Sequence, residues 1–337
     1  MSHSYSLKID IASHILPVKY KAALDEAAPG HIQQSMNNMI PALWDMDLRF
    51  RIMDKYGVMH ILTLSRPPIE EVIGNPQKAL DFTKLANDEI ADLVFKYPDR
   101  FPAAVASVAL NNRDASLKEL ERAIVELKFR GVQIYTHVND KPLDSPEFQP
   151  LWEMMSRYKL PVWIHPTHGV TSDDYRSEKG SKYGMAGTFG WPYETTMAMT
   201  RLVFSGVLEK WSSLKIITHH AGAFVPYYEE RITAFQDLSE MQDKAPHRLK
   251  LTLAPIDYYK MFYADTALYG NTPALMLARS FFGIDHLLFG TDFPFAGHNG
   301  ERVTRQTINA IEEMEISDLE KKKIFEDNAR EIMRLPI

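Results

Sequence analysis

The sequence predicts an α/β protein of the (β/α)8 TIM-barrel class, with a long loop insertion after the fifth strand and helices at the C-terminal end. Three observations carry that prediction. Short apolar runs of strand length alternate with amphipathic stretches of helix length along the whole chain. Side chains able to bind metal or carry protons, His14, His165, His220 and Asp292, stand at or just past the ends of four of those runs. No Gly-x-Gly-x-x-Gly phosphate loop is present, which removes the main signature of a doubly wound open sheet.

Residues 7–14 open the fold. Leu7, Ile9 and Ile11 alternate with Lys8, Asp10 and Ala12, so Asp10, Ala12 and His14 share one face of a strand. Residues 20–42 carry the breakers Pro29, Gly30 and Pro41 and are expected to be irregular. A helical pattern over 43–56 stops at Gly57, and the second strand covers 58–64. Arg66 follows it, ahead of Pro67 and Pro68. Such a cation is often a solvated loop residue, but on a barrel rim its planar guanidinium would grip a carboxylate.

A helix over 75–96 leads through a turn to a third strand over 101–108. A helix over 116–128 precedes the fourth strand at 131–135, with His137 just beyond. After a helix at 148–158, the fifth strand at 160–164 ends in His165 and Pro166. The polar, glycine-bearing stretch 169–190 has the length of a lid or binding loop. A helix over 191–205 begins at Trp191, with Pro192 in its first turn. The sixth strand, 215–218, ends in His219 and His220. Neighbouring strand residues point to opposite sides, so at most one of the pair is expected to face the barrel mouth.

A helix over 224–242 and an irregular segment over 245–259 come next. The seventh strand is 261–265, followed by a helix at 272–282. The eighth strand, 287–289, runs into Gly290, Thr291 and Asp292, and Pro294 forbids further ladder pairing. Helices over 301–314 and 317–333 close the chain, with no low-complexity run to mark a second domain, so 1–337 is expected to be one barrel domain.

Composition narrows the function. With 38 Lys and Arg against 44 Asp and Glu, the net charge of −6 offers no general attraction to nucleic acid or to an anionic membrane. The absence of cysteine excludes disulfides, thiolate zinc sites and cysteine nucleophiles. The opening MSHSYSLKID lacks a basic segment followed by an apolar core, and no apolar run reaches membrane-spanning length, so a cytoplasmic protein is expected.

A carboxylate at the mouth of a buried parallel strand is costly unless a cation or donor meets it. Asp292 with His14 and His165 makes a sound ligand set for Zn2+, or Mn2+, with a position open to water or substrate. His220 is then free as a general acid or base near neutral pH. Trp191, Phe293 and Phe189 are candidate aromatic walls. His137 and His168 lie on the same rim, His137 being the better site candidate.

The chain resembles the amidohydrolase superfamily, in its amidohydrolase-2 branch with the aminocarboxymuconate-semialdehyde and resorcylate-type decarboxylases. The matching stretches are ID-x-x-SHILP at 9–17, W-D-x-x-x-R-x-x-x-MD-x-x-GV at 44–58, GVQI-x-THVN at 131–139, IHP at 164–166 and ETT at 194–196. GV-x-EK at 206–210, H-x-G at 220–222, FY-x-D at 262–265 and GTD-x-PF at 290–295 complete them. The resemblance implies metal ligation by His14, His165 and Asp292, catalysis by His220 and Asp292, and a homodimer or homotetramer. The family has a histidine or glutamate ligand where this chain has Ala12. Asp10 lies roughly 6–7 Å deeper on the same face, too far to replace it. No lysine ends the fourth strand, so the two-metal centre of the family's hydrolases is not expected.

The implied activity is metal-dependent nonoxidative decarboxylation of a small aromatic or unsaturated carboxylic acid. Arg66, His137, Trp191 and Phe293 are the expected substrate contacts. The alternatives are a mononuclear hydrolase or hydratase, and a metal-free barrel in which Ala12 has altered the chemistry.

Overall fold

The computed structural model describes residues 7–167, 173–241 and 251–336. Eight parallel strands are present among them: β1 (Lys8–Ile15), β2 (Val58–Leu64), β3 (Ala106–Ser107), β4 (Val132–Tyr135), β5 (Pro161–His165), β6 (Lys215–Thr218), β7 (Tyr263–Asp265) and β8 (Leu287–Leu288). β1 pairs with β2, and β3 through β8 pair in chain order. Two seams close the cylinder. Leu62 bridges Ala104, joining β2 to the approach of β3. Ser13 bridges Phe293, and Ile11 N donates to Phe289 O at 2.9 Å, joining β1 to the segment around β8.

Alternation along the strands makes two cores. Ile9, Ile11, Ile61, Val105, Trp163, Ile217 and Leu288 fill the barrel interior, and Ala329, Ile332 and Met333 of the last helix, Asn328–Met333, pack against them. Their strand neighbours Leu62, Val132, Ile134, Val162, Ile164 and Ile216 face the surrounding helices in a larger cluster. Trp163 spans the interior, its indole N–H donating to Ile11 O at 3.1 Å. A Cβ at Gly131 would come within 2.5 Å of the Trp163 ring, so only glycine fits beside it.

Local chemistry sets the helix ends. Asp45 caps Met46–Tyr56 by accepting from Leu48 N, and Gly57, at φ 62°, terminates it. Asn75 caps Pro76–Lys96, whose first residue has no N–H to leave unsatisfied. One segment expected to be irregular is helical. Residues 20–42 hold the helices Val18–Ala27 and Ile32–Asn38, because Pro29 and Gly30 separate helices rather than prevent them. Tyr20 and Leu24, four residues apart, bury one face of the first. Beyond β4 the chain forms a short antiparallel ribbon, His137–Val138 with Lys141–Pro142. No described helix is long and apolar enough to cross a membrane.

Candidate active site

The end of β1 is fixed before any ligand is added. Asp10, fully buried, accepts from Ala12 N at 3.0 Å, from Thr291 N at 3.1 Å and from the Thr291 hydroxyl. It thereby ties β1 to the segment that carries Asp292. Burial pushes its carboxyl up to about 6 against those three donors. Arg49, also fully buried, donates to the Ser13 hydroxyl at 2.9 Å, to the Ala42 carbonyl and to the carbonyl of His14, with its guanidinium 4.7 Å from the Phe293 ring. The motif W-D-x-x-x-R therefore supplies a brace for the strand that delivers His14.

Three ligand-type groups converge at the top of the barrel. One ligand atom each from His14, His165 and Asp292 lie within 4.8 Å of one another, all three residues buried. The tautomers suit a cation. His14 Nδ1 lies 3.0 Å from the Thr63 hydroxyl, which itself donates to Ser13 O. His165 Nδ1 lies 2.6 Å from the carbonyl of Pro166, which can only accept. Both Nδ1 atoms therefore carry the proton, and both Nε2 lone pairs are free. Burial pushes both imidazoles down, so each is neutral, the ligating form.

Asp292 sits at φ 62°, past the end of β8. Its Oδ1 lies 3.2 Å from His14 Nε2, and its Oδ2 accepts from the Tyr269 hydroxyl at 2.7 Å. Burial opposes its ionisation, and the hydrogen bond donated by Tyr269 favours it. The residues present fit a divalent cation. Two neutral nitrogens and an ionised oxygen face one point, and His14 Nε2 is a buried atom with no hydrogen-bond partner. Ala12 is fully buried beside them, and a Cβ at Gly290 would approach its methyl to 3.0 Å.

The β6 end brings both histidines to the site, against the expectation that only one would face it. His219 ends the extended run, and the chain then turns through φ 56° at His220 and 54° at Ala221, which breaks strand alternation. His219 is the one beside the ligand set. Its ring centroid is 4.8 Å from that of His165 and 6.1 Å from that of His14. Its Nδ1 is 2.9 Å from Asp265 Oδ2, and its Nε2 has no partner. His220 stacks on Trp191 at 6.3 Å, lies 6.4 Å from the Tyr269 ring, and leaves Nδ1 without a partner.

Arg66 lies over Trp191, 4.8 Å from its ring, and donates to Thr167 O at 3.2 Å. Its backbone carbonyl accepts from Asn37 at 2.9 Å, and its buried Nε has no partner. His137 stands between Glu71 and Glu194 at 3.8 and 3.9 Å, and Asp140 N donates to its Nδ1. Phe293 requires a correction. It is fully buried behind β1 against Arg49 and His60, because the chain turns over at Asp292 and sends its side chain below the rim. Phe295, two residues on, is the ring against His14, at 5.5 Å. Phe189 is 57% exposed in the turn Ala186–Gly190. His168 lies outside the described residues.

A buried His, His and Asp set at the C-terminal rim of a parallel barrel, with no lysine at the end of β4, has the donors that could hold one divalent ion. The amidohydrolase family model matches residues 9–335, and the chain belongs to this family. It is 30% identical over 353 residues to a 2-amino-3-carboxymuconate-6-semialdehyde decarboxylase of Dictyostelium discoideum, covering 98% of this chain and 92% of that protein. Its fold matches the crystal structure of a 2,6-dihydroxybenzoate decarboxylase complexed with 2,6-dihydroxybenzoate, with a TM-score of 0.81 and 26% identity, over 98% of this chain and 100% of that one. A dihydroxybenzoic acid decarboxylase from Polaromonas sp. JS666, solved with bound manganese and the inhibitor 2-nitroresorcinol, matches with a TM-score of 0.79 and 26% identity, over 99% of this chain and 98% of that one.

Proposed function

We propose that this chain is a metal-dependent nonoxidative decarboxylase, a carboxy-lyase acting on a small aromatic or unsaturated carboxylic acid. The observation that carries the proposal is the joint placement of two features: the convergent His14, His165 and Asp292, and the half-buried Arg66, whose Nε is buried and unpaired. The decarboxylases it is similar to over nearly their whole length support the same reading.

His14, His165 and Asp292 would hold the ion, manganese or zinc. When bound, it supplies Lewis acidity toward a phenol or enol oxygen of the substrate. Arg66, stacked on Trp191, receives the substrate carboxylate. Trp191 and Phe295 supply apolar walls, and His137 with Glu194 borders the entrance. A proton delivered to the carbon bearing the carboxylate forms a new C–H bond. The C–C bond pair then returns to the π system as CO2 leaves. Proton handling falls to His220 and Asp292, joined by His219, whose Nδ1 is held by Asp265 so that Nε2 faces the site.

The proposal takes residues 1–337 as one catalytic domain, working in the cytoplasm as a homodimer or homotetramer. Light scattering and cell fractionation test those two points. The activity is tested by CO2 release from a panel of hydroxybenzoates and unsaturated carboxylates, with and without chelator. Release that stops on chelation and returns with Mn2+ is expected; no release from any panel member rejects the decarboxylase. Ala12 favours one rival, a barrel that works without metal. Purified protein free of metal, with activity indifferent to chelator, would establish that rival.

A further inference from the structure

Asp292 is held from two sides, and only one of its partners belongs to the ligand set. Its Oδ2 accepts from the hydroxyl of Tyr269, a residue on the turn that follows β7. That turn is tightly specified. Thr266 and Gly290 exchange two hydrogen bonds, Thr266 Oγ1 donating to Gly290 O at 3.1 Å and accepting from Gly290 N at 3.0 Å. Leu268 N donates to Thr266 O at 2.7 Å, and Asn271 N to Leu268 O at 3.2 Å. Tyr269 itself takes φ 52°, a conformation that a bulky side chain adopts only when its surroundings impose it. The partner residue Asp292 is also in the left-handed region, at φ 62°. Two strained residues thus face each other across stapled loops, joined by one 2.7 Å hydrogen bond.

We infer that Tyr269 is a positioning residue for the metal centre. Its hydroxyl, bound to Oδ2 of Asp292, would bias ligation toward Oδ1, the oxygen that lies 3.2 Å from His14 Nε2. A tyrosine hydroxyl bound to a carboxylate acts here as a hydrogen-bond donor that fixes the rotation of the group. Tyr269 as a residue is 40% exposed, while its hydroxyl reaches the buried Asp292.

This rests on the metal centre proposed above, and the test separates the two. Mn2+ binding to the full chain is followed by electron paramagnetic resonance, which counts free ion and records the spectrum of bound ion, with no substrate present. Tyr269→Phe is expected to weaken Mn2+ binding about tenfold or more and to change the bound-ion spectrum. Tyr269→His, which restores a donor, should recover part of that loss. Tyr263→Phe, whose ring stacks on His286 at 4.2 Å, should bind like the wild type. Wild-type protein that binds no Mn2+ overturns both the metal reading and this inference. Wild-type and Tyr269→Phe proteins with equal affinity and identical spectra overturn the role of Tyr269 alone. Melting curves of the metal-free variants distinguish lost affinity from lost fold.

Discussion

His219 Nδ1 lies 2.9 Å from Asp265 Oδ2, both side chains almost fully buried, while His219 Nε2 is left without a partner beside the ligand set. Asp265 also accepts from the backbone N–H groups of Ala221 and Ala267, so its orientation is set independently of the histidine. A carboxylate that fixes the tautomer and rotation of an imidazole makes the far nitrogen a directed base or acid. His219→Asn is expected to lower kcat by roughly 10²- to 10⁴-fold. Asp265→Asn should lower kcat in the same direction with little change in KM. His220→Asn, away from that pairing, should cost less. A His219→Asn enzyme within a few-fold of wild type removes His219 from the chemistry.

The ligand set predicts stoichiometry as well as activity. With three protein ligands and no bridging lysine, one ion per chain is the expected content after dialysis against Mn2+. His165→Ala and His14→Ala should each abolish binding at micromolar ion, measured by elemental analysis. Two ions per chain, or retention in both variants, would contradict a site built from these residues.

Arg66 is braced by Trp191, Thr167 and Asn37, which leaves its Nε for a guest. An ion pair with the departing carboxylate weakens as that group becomes neutral CO2, so it stabilises the bound substrate more than the transition state. Arg66→Met should therefore raise KM by about tenfold or more, with a smaller fall in kcat. Arg66→Lys should recover little, because an ammonium does not reproduce the planar fork. Steady-state kinetics on the best substrate of the panel decides this. A large fall in kcat at unchanged KM would instead assign Arg66 to the chemical step.

Strand order and the convergence of His14, His165 and Asp292 were legible because both follow from period and position. Buried parallel strands read as apolar runs, and a ligand at the end of a run lands on the rim. What escaped depended on backbone turns that leave no mark in the pattern. The left-handed residues His220 and Ala221 bring a second histidine to the mouth. The turn at Asp292 exchanges Phe293 for Phe295. Tyr269 and Asp265 act through partners distant in sequence, 23 and 46 residues away. Asp265 was visible as a strand-end acid, but nothing in the sequence coupled it to His219. Gly290 between two strand ends was the one available hint of close approach there, since a Cβ would come within 2.8 Å of Asp265.

Stability should carry a pH signature from a residue outside the site. Glu70, in the short helix Ile69–Val72, is 3% exposed with one carboxylate oxygen lacking a partner, and the Tyr20 hydroxyl is buried unpaired as well. Burial pushes the Glu70 carboxyl up from 4.5 to about 7, against backbone donors that favour the ionised form. The folded state therefore holds this proton more tightly than the unfolded chain does. Below about pH 4.5 both states are protonated and nothing is lost. Between about pH 4.5 and 7 the unfolded chain gives up this proton while the folded protein keeps it, so stability falls by on the order of 3 kcal/mol across that window and levels off above it. Glu70→Gln removes the ionisation while keeping the shape. Urea unfolding between pH 5 and 8 should show the variant more stable than wild type at pH 8, with the difference shrinking toward pH 5. A gap that is constant across that range would mean that Glu70 finds a compensating partner on ionisation, and that the buried oxygen is satisfied.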